Sequence, residues 1–188
     1  MDKPTLYFER DVEWYDWLIS NHEKYNGVYL IFYKKEINIP SMTWAEAVKV
    51  ALCFGWIDST VKSLGNGKRQ QYFCPRNPKS AWSKLNKTYI DELLSQNLIQ
   101  ESGLKAISNA KENGSWSELD DVENLVIPKD LQLEFNKNPE AFNNYKNFAP
   151  TYRKSYLYWL HSAKREATRT KRINEIILLC KANKKMRD

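Results

Sequence analysis

The sequence predicts an α+β fold: a small antiparallel sheet packed with helices, followed by an all-helical C-terminal module. Three observations carry this expectation. Between Thr43 and Cys74 a capped helical stretch gives way to two runs of alternating residues joined by a glycine-rich turn. Val28 to Tyr33 is apolar at every position, as in a strand covered on both faces. Beyond the acidic run Ser117 to Glu123, prolines open a series of short helical segments. The boundary is expected at that acidic run, giving an α+β domain over residues 1–116 and a helical module over 117–188.

Taken in order, Val12 to Ser20 carries Trp14, Trp17 and Leu18 and reads as a short amphipathic helix that Asn26-Gly27 breaks. Thr43 with Glu46 three residues later forms a capping box, in which hydroxyl and carboxylate each satisfy a backbone N–H of the first turn. Trp44, Ala47, Val48, Ala51 and Leu52 then make one apolar stripe, and Gly55 stops the helix. From Trp56 the period is two, placing Ile57, Ser59, Val61 and Ser63 on one side and Asp58, Thr60 and Lys62 on the other. Gly65-Asn66-Gly67 supplies a tight turn, and Gln70 to Cys74 returns until Pro75, which has no N–H to donate. Ser80 is the expected cap of a helix bearing Trp82, Leu85, Tyr89, Ile90, Leu93 and Leu94. A second helix, with Leu104, Ile107 and Ala110 on one stripe, stops at Asn113-Gly114. Pro128, Pro139 and Pro150 introduce three short helices, and a last one carries Ile173, Ile176, Ile177 and Cys180 at i, i+3, i+4 and i+7.

Composition bounds the chemistry. At 42% apolar residues, with seven Trp, eleven Tyr and seven Phe, the 188-residue chain can fold on its core without disulfides. Cys53, Cys74 and Cys180 are odd in number and far apart, which fits free thiols in a reducing compartment. MDKPTLYFERDVEW has no basic start and apolar run of an export signal, and no segment approaches membrane-span length. A cytoplasmic protein without a membrane span is expected. The net charge of +6 is lopsided: residues 151–188 hold 11 Lys or Arg against 3 Asp or Glu, a balance of +8. Such a stripe is either a solvated helix face or a surface for an anionic partner.

No catalytic signature emerges. The two histidines, His22 and His161, have no nucleophile placed beside them in sequence, and no serine sits in a G-x-S-x-G elbow. Paired Cys or His at ligand spacing are missing, and Gly65-x-Gly67 lacks the third glycine of a nucleotide loop. Neither a metal nor a cofactor is expected. The remaining candidate is the stretch from Trp56 to Lys84. Arg76, Lys79 and Lys84 supply cations, Ser80 a hydroxyl at a helix start, and Trp56, Tyr72 and Trp82 flat walls, with Asp58 the nearest carboxylate. These residues fit a small anionic pocket. They fit better a loop tied down by an Arg76–Asp58 pair over core tryptophans, with Arg76 as a strut, because aromatic and arginine clusters at structural corners are common. Positional logic brings Trp56, Arg76, Trp82 and Lys84 onto one concave surface, because antiparallel pairing joins the two hairpin ends.

PSMTWAEAVKVALCFGWIDSTVKSL, followed by QYFCPRNPKSAWSKLN, resembles the bacterial YdeI/OmpD-associated, or bacteriocin-protection, family. The likeness continues through NGSWSELDDVENLVIPKDL and YRKSYLYWLHSAKREATRTKRI. The resemblance implies an N-terminal part like the small YjbR/CyaY-like domains, a helical C-terminal part, and a role in tolerance of antimicrobial peptides with an association to an outer-membrane porin. It implies no enzymatic activity, cofactor or catalytic residue. The family's expected periplasmic setting is at odds with the start of this chain, which carries no export signal. A non-enzymatic stress or envelope-protection protein, binding a protein partner or a small anionic ligand through the central stretch, is therefore one expectation. The alternatives are a nucleic-acid or phosphate binder using Lys164, Arg165, Arg169, Lys171 and Arg172, and an enzyme acting on a small anionic metabolite near Arg76.

Overall fold

In a computed structural model, which describes residues 3–187, the chain forms two compact units that divide after Ser117. Met1 and Asp2, the head of the acidic start, lie outside the described residues. The first unit contains strand β1 (Thr5–Tyr7), helix α1 (Asp11–Asn21), β2 (Val28–Tyr33), a 3-10 turn at Lys35–Ile37, and α2 (Trp44–Cys53). Strands β3 (Trp56–Gly65) and β4 (Lys68–Pro75) follow, then helices α3 (Lys84–Ser95) and α4 (Glu101–Glu112). The sheet order is β1-β2-β4-β3. Three strands pair antiparallel, and β1 joins the edge parallel to β2 through the α1 crossover that parallel pairing requires. Three residues are too few for their periodicity to announce a strand, so β1 is an addition to the sequence expectation.

Local chemistry accounts for the central elements. The Thr43 hydroxyl accepts from the Glu46 N–H at 3.3 Å, and the Glu46 carboxylate accepts from the Thr43 N–H at 2.6 Å, closing the capping box of α2. Gly55, at φ +70°, turns the chain from α2 into β3. Asn66 and Gly67 both have positive φ, 48° and 69°, the geometry of a two-residue type I′ hairpin turn. The strict alternation expected along β3 fails. Asp58 opposes Phe73 while Val61 opposes Gln71, so three residues on β3 match two on β4 and a bulge intervenes. Val61 and Ser63 therefore move to the face of Trp56 and Asp58.

That face carries the core. Trp14 and Leu18 of α1, the buried side of α2, and Ile90, Leu93, Ile107 and Ala110 of α3 and α4 join Val28, Leu30, Phe32, Trp56 and Phe73 in one core, with α3 and α4 set against α2. Trp14 is fully buried and its indole N–H donates to the Ala47 carbonyl at 3.2 Å. Two expectations need correction here. Ser83, not Ser80, caps α3, its hydroxyl accepting from the Asn86 N–H at 3.2 Å. Ser80 instead closes a turn in which its hydroxyl donates to the Asn77 carbonyl at 2.8 Å and Asn77 Oδ1 accepts from the Lys79 N–H at 2.9 Å. Trp82 thus precedes the helix. Leu85, Leu94 and Leu104 are exposed, because the buried stripes of α3 and α4 are narrow.

The second unit is helical: α5 (Asp120–Glu123), α6 (Lys129–Lys137), α7 (Pro139–Asn147), α8 (Pro150–His161) and α9 (Glu166–Lys181). The acidic run, expected as a separator, contains α5 and buries Val122. Pro139 and Pro150 occupy first helical positions, where the missing N–H is harmless. The stripe Ile173, Ile176, Ile177 and Cys180 is buried against Leu131, Phe135, Tyr145 and Leu160. The α+β architecture and the helical C-terminal region expected from the sequence are both present. All three cysteines are free thiols.

Candidate anion pocket

The site begins where the hairpin ends. Trp56 pairs with Pro75, and the Arg76 N–H donates to the Gly55 carbonyl at 2.9 Å, so the last residue of β4 is followed by an arginine beside the start of β3. The Arg76 guanidinium lies over the Trp82 ring at 3.9 Å. Its Nη2 donates to the Ala81 carbonyl at 2.5 Å and reaches the Ser80 carbonyl at 3.4 Å. Nε is buried without a partner, and Nη1 bonds no protein group among the described residues. Burial pulls the Arg76 pKa down to about 10, with the Asp58 charge opposing the shift.

Asp58 is not its ion-pair partner. The Asp58 carboxylate accepts from the Trp44 indole N–H at 2.9 Å and from the Gln71 side-chain amide. The reason is register: pairing with Phe73 turns Asp58 onto the core face within the strand, whereas Arg76 lies beyond the strand end. Arg76 is a brace, but its anchor is the loop through Ala81.

Around Arg76 lies a pocket of about 260 Å3, walled by Phe54, Gly55 and Pro75 on one side and by Ser102, Lys105 and Asn109 of α4 on another. His22 and Glu23 close it from the end of α1. The His22 Nδ1 faces the Leu18 carbonyl at 2.8 Å, which makes Nδ1 the protonated nitrogen, and the ring packs on Phe54 with centroids 5.1 Å apart. The Ser102 hydroxyl is buried and has no partner among the described residues. Arg76 and Lys105 give the pocket two cations against one carboxylate, Glu23.

Of the sequence-derived candidates, the pocket gathers Trp56, Arg76 and Trp82. Both tryptophans are only 1% exposed, so they floor the pocket as core residues and offer no stacking wall. Trp56 meets Trp14 edge-on at 6.3 Å, and Trp82 packs on Trp116 at 4.9 Å. Asp58, Lys79, Ser80 and Lys84 fall outside the pocket. Tyr72 pairs with Tyr29 on the far face of the sheet, and its hydroxyl donates to the Asn26 carbonyl at 3.0 Å. Ser102, Lys105 and Asn109 escaped the sequence reading, in which His22 enters only as a candidate catalytic base and is set aside. The spacing of Ser102, Lys105 and Asn109 does mark a polar face of α4. Nothing local ties that face to the hairpin; it arrives because α4 packs on the end of α2 through Gly103, where a Cβ would stand 2.4 Å from the Cys53 carbonyl oxygen.

In the second unit the arginines expected as a phosphate stripe are largely engaged within the fold. Arg169 forks onto Asp130 through Nε and Nη2 at 2.5 and 2.9 Å. This hydrogen-bonded pairing holds the Asp130 carboxyl below the usual range and raises Arg169. Arg172 donates to the Trp159 carbonyl at 2.5 Å and to the Ser162 hydroxyl at 2.7 Å, stapling α9 to the end of α8. Lys164, Arg165 and Lys171 remain exposed, with Arg165 at the N-cap of α9.

Residues 6–106, just over half of the chain, match the family described as a domain of unknown function (DUF8412). The chain belongs to that family. Residues 124–183 match a second family, described as bacteriocin-protection, YdeI or OmpD-associated. The resemblance read from the sequence thus holds for the helical unit, while the N-terminal unit falls to the uncharacterised family. No curated protein and no solved structure matches the chain. Among the described residues, no helix is long and apolar enough to cross a membrane.

Proposed function

We propose that this is a non-enzymatic bacterial stress or envelope-protection protein that acts in the cytoplasm by binding a small anionic ligand at the pocket beside Arg76. The observation that carries this reading is the state of the Arg76 guanidinium. It is held by Trp82 and two loop carbonyls, yet Nη1 and Nε have no protein partner among the described residues, beside a pocket that also holds Lys105. A buried donor without a partner is costly, and an oxyanion within reach of the guanidinium would relieve that cost. The match over residues 124–183 supports the protective role, and the three free thiols suit a reducing compartment. Kinship of the N-terminal unit to YjbR/CyaY-like domains belongs to the same proposal, supported by its α+β architecture.

Calorimetric titration with inorganic phosphate, sulfate and acetate tests it. Saturable heat from one of them, abolished in Arg76→Gln and weakened at least several-fold in Lys105→Gln, is the expected result. Heat that survives Arg76→Gln unchanged would move the ligand elsewhere. Comparison of bacteriocin survival in cells carrying the parent chain or Arg76→Gln then links the pocket to protection.

A further inference from the structure

The sheet has a second face, and the pairing register fixes what it displays. Thr5, Tyr29 and Tyr72 form one rung; Tyr7, Ile31, Gln70 and Lys62 the next; Tyr33 and Lys68 the third. Rungs two residues apart along a strand are spaced about 6.7 Å. The opposite face, through Val28, Leu30, Phe32 and Phe73, belongs to the core that the sheet shares with the helices of the unit. What remains is a sheet surface with four partly exposed tyrosines around the buried Ile31, two of its own lysines, and Lys3 lying over the Tyr72 ring at 4.2 Å, with the Tyr7 hydroxyl donating to the Pro40 carbonyl. Lys68 stands 5.9 Å from the Tyr33 ring. The one carboxylate on any strand, Asp58, points to the core side and is held there by Trp44 and Gln71. Lys62 and Lys68 form no ion pair among the described residues.

We propose that this open face of the four-stranded sheet binds single-stranded nucleic acid. Rings and cations on one surface, with no acid on its strands and Glu9 and Glu13 only at its Tyr7 edge, complement a chain of bases and phosphates. Bases stack on aromatic side chains whatever their identity, and lysines track the backbone. Unpaired bases can splay onto such rings, whereas a duplex keeps its bases stacked inside, so the preference is for unpaired strands. The site is separate from the Arg76 pocket, which lies at the end of the hairpin and against α4.

Fluorescence anisotropy of labelled oligothymidylate and oligouridylate with the full chain tests the proposal. With three lysines neutralising phosphates, the salt slope should be about −2, so affinity should fall roughly fifteen-fold between about 50 and 200 mM salt. Lys62→Glu with Lys68→Glu should lower affinity by at least tenfold, and Tyr33→Ala by about tenfold. Lys164→Glu with Lys171→Glu, on the second unit, should leave it within twofold. Tryptophan fluorescence confirms that each variant is folded. No binding at low ionic strength overturns the proposal, as does binding lost only in the second-unit variant. Polyphosphate or duplex DNA competing as well as oligothymidylate, with Tyr33→Ala at parent affinity, would show a generic polyanion surface and overturn it too.

Discussion

Replacing Arg76 by Gln separates two accounts of the same arginine. Were it paired with Asp58 in the interior, removal would orphan a buried charge and destabilise by roughly 3–5 kcal/mol. The structure places the loss elsewhere. One strong charge-assisted hydrogen bond to Ala81 and a marginal one to Ser80 disappear, at about 1.5–3 kcal/mol for such a bond. Stacking on Trp82 adds about 0.5–2 kcal/mol. Against these, the partnerless Nε is no longer buried, and water from the pocket can reach the freed carbonyls. A net loss of about 2 kcal/mol is expected. Asp58 keeps Trp44 and Gln71 in the variant, so the Arg76→Gln and Asp58→Asn effects should be additive within about 0.5 kcal/mol. Urea unfolding followed by tryptophan fluorescence is the assay, because six of the seven tryptophans belong to the first unit. A coupling of 2 kcal/mol or more between the two substitutions, on the order expected for a shared network, would refute the assignment of Arg76 to the loop. So would an Arg76→Gln effect smaller than the roughly 0.5 kcal/mol typical of surface changes.

Two further outcomes follow from geometry. Gly103→Ala puts a methyl 2.4 Å from the Cys53 carbonyl oxygen, so α4 must shift; overpacking of about 1–3 kcal/mol outweighs the gain in helix propensity of up to about 1 kcal/mol, and the same urea assay should show net destabilisation. Asp130 is depressed in the folded state by Arg169, so its contribution is present above the unfolded carboxyl pKa of about 3.9 and lost as pH falls through its lower folded value. The pair is partly solvent-exposed, which limits the effect to at most about 1 kcal/mol. Circular dichroism of urea unfolding at falling pH should show this acid sensitivity reduced in Asp130→Asn.

What the sequence revealed, and what it withheld, divides by the range of the interactions. The α2 capping box spans four residues, the Asn66-Gly67 turn two, and the α9 stripe eight, so each is legible in a short window. The bulge between Asp58 and Val61 is not, because it reflects how β3 lies on β4 rather than any residue of β3 alone. The reading of charge is misdirected for a separate reason, since Arg76 lies beyond the strand end while Asp58 sits within it, opposite Phe73. Asp58 and Arg76 look like natural partners when opposite signs are matched across a hairpin. The actual partners of Asp58 come from α2 and from the middle of β4, and both are neutral donors.

The pocket carries the same lesson into function. Its hairpin side was legible in Trp56, Arg76 and Trp82, because strand pairing returns the end of β4 to the start of β3. Its other side depends on a glycine. With no Cβ at residue 103, the first turn of α4 can approach the last carbonyl of α2, and the Gln100 N–H donates to that Cys53 carbonyl at 2.9 Å. This contact is what carries Ser102 and Lys105 to the wall facing Arg76. A cation and a hydroxyl from one helix thereby meet an arginine from the hairpin, an arrangement that local helix and strand patterns cannot encode. The same dependence means that Gly103→Ala should weaken any anion bound at Arg76 in proportion to the shift of α4, even though residue 103 itself never faces the pocket.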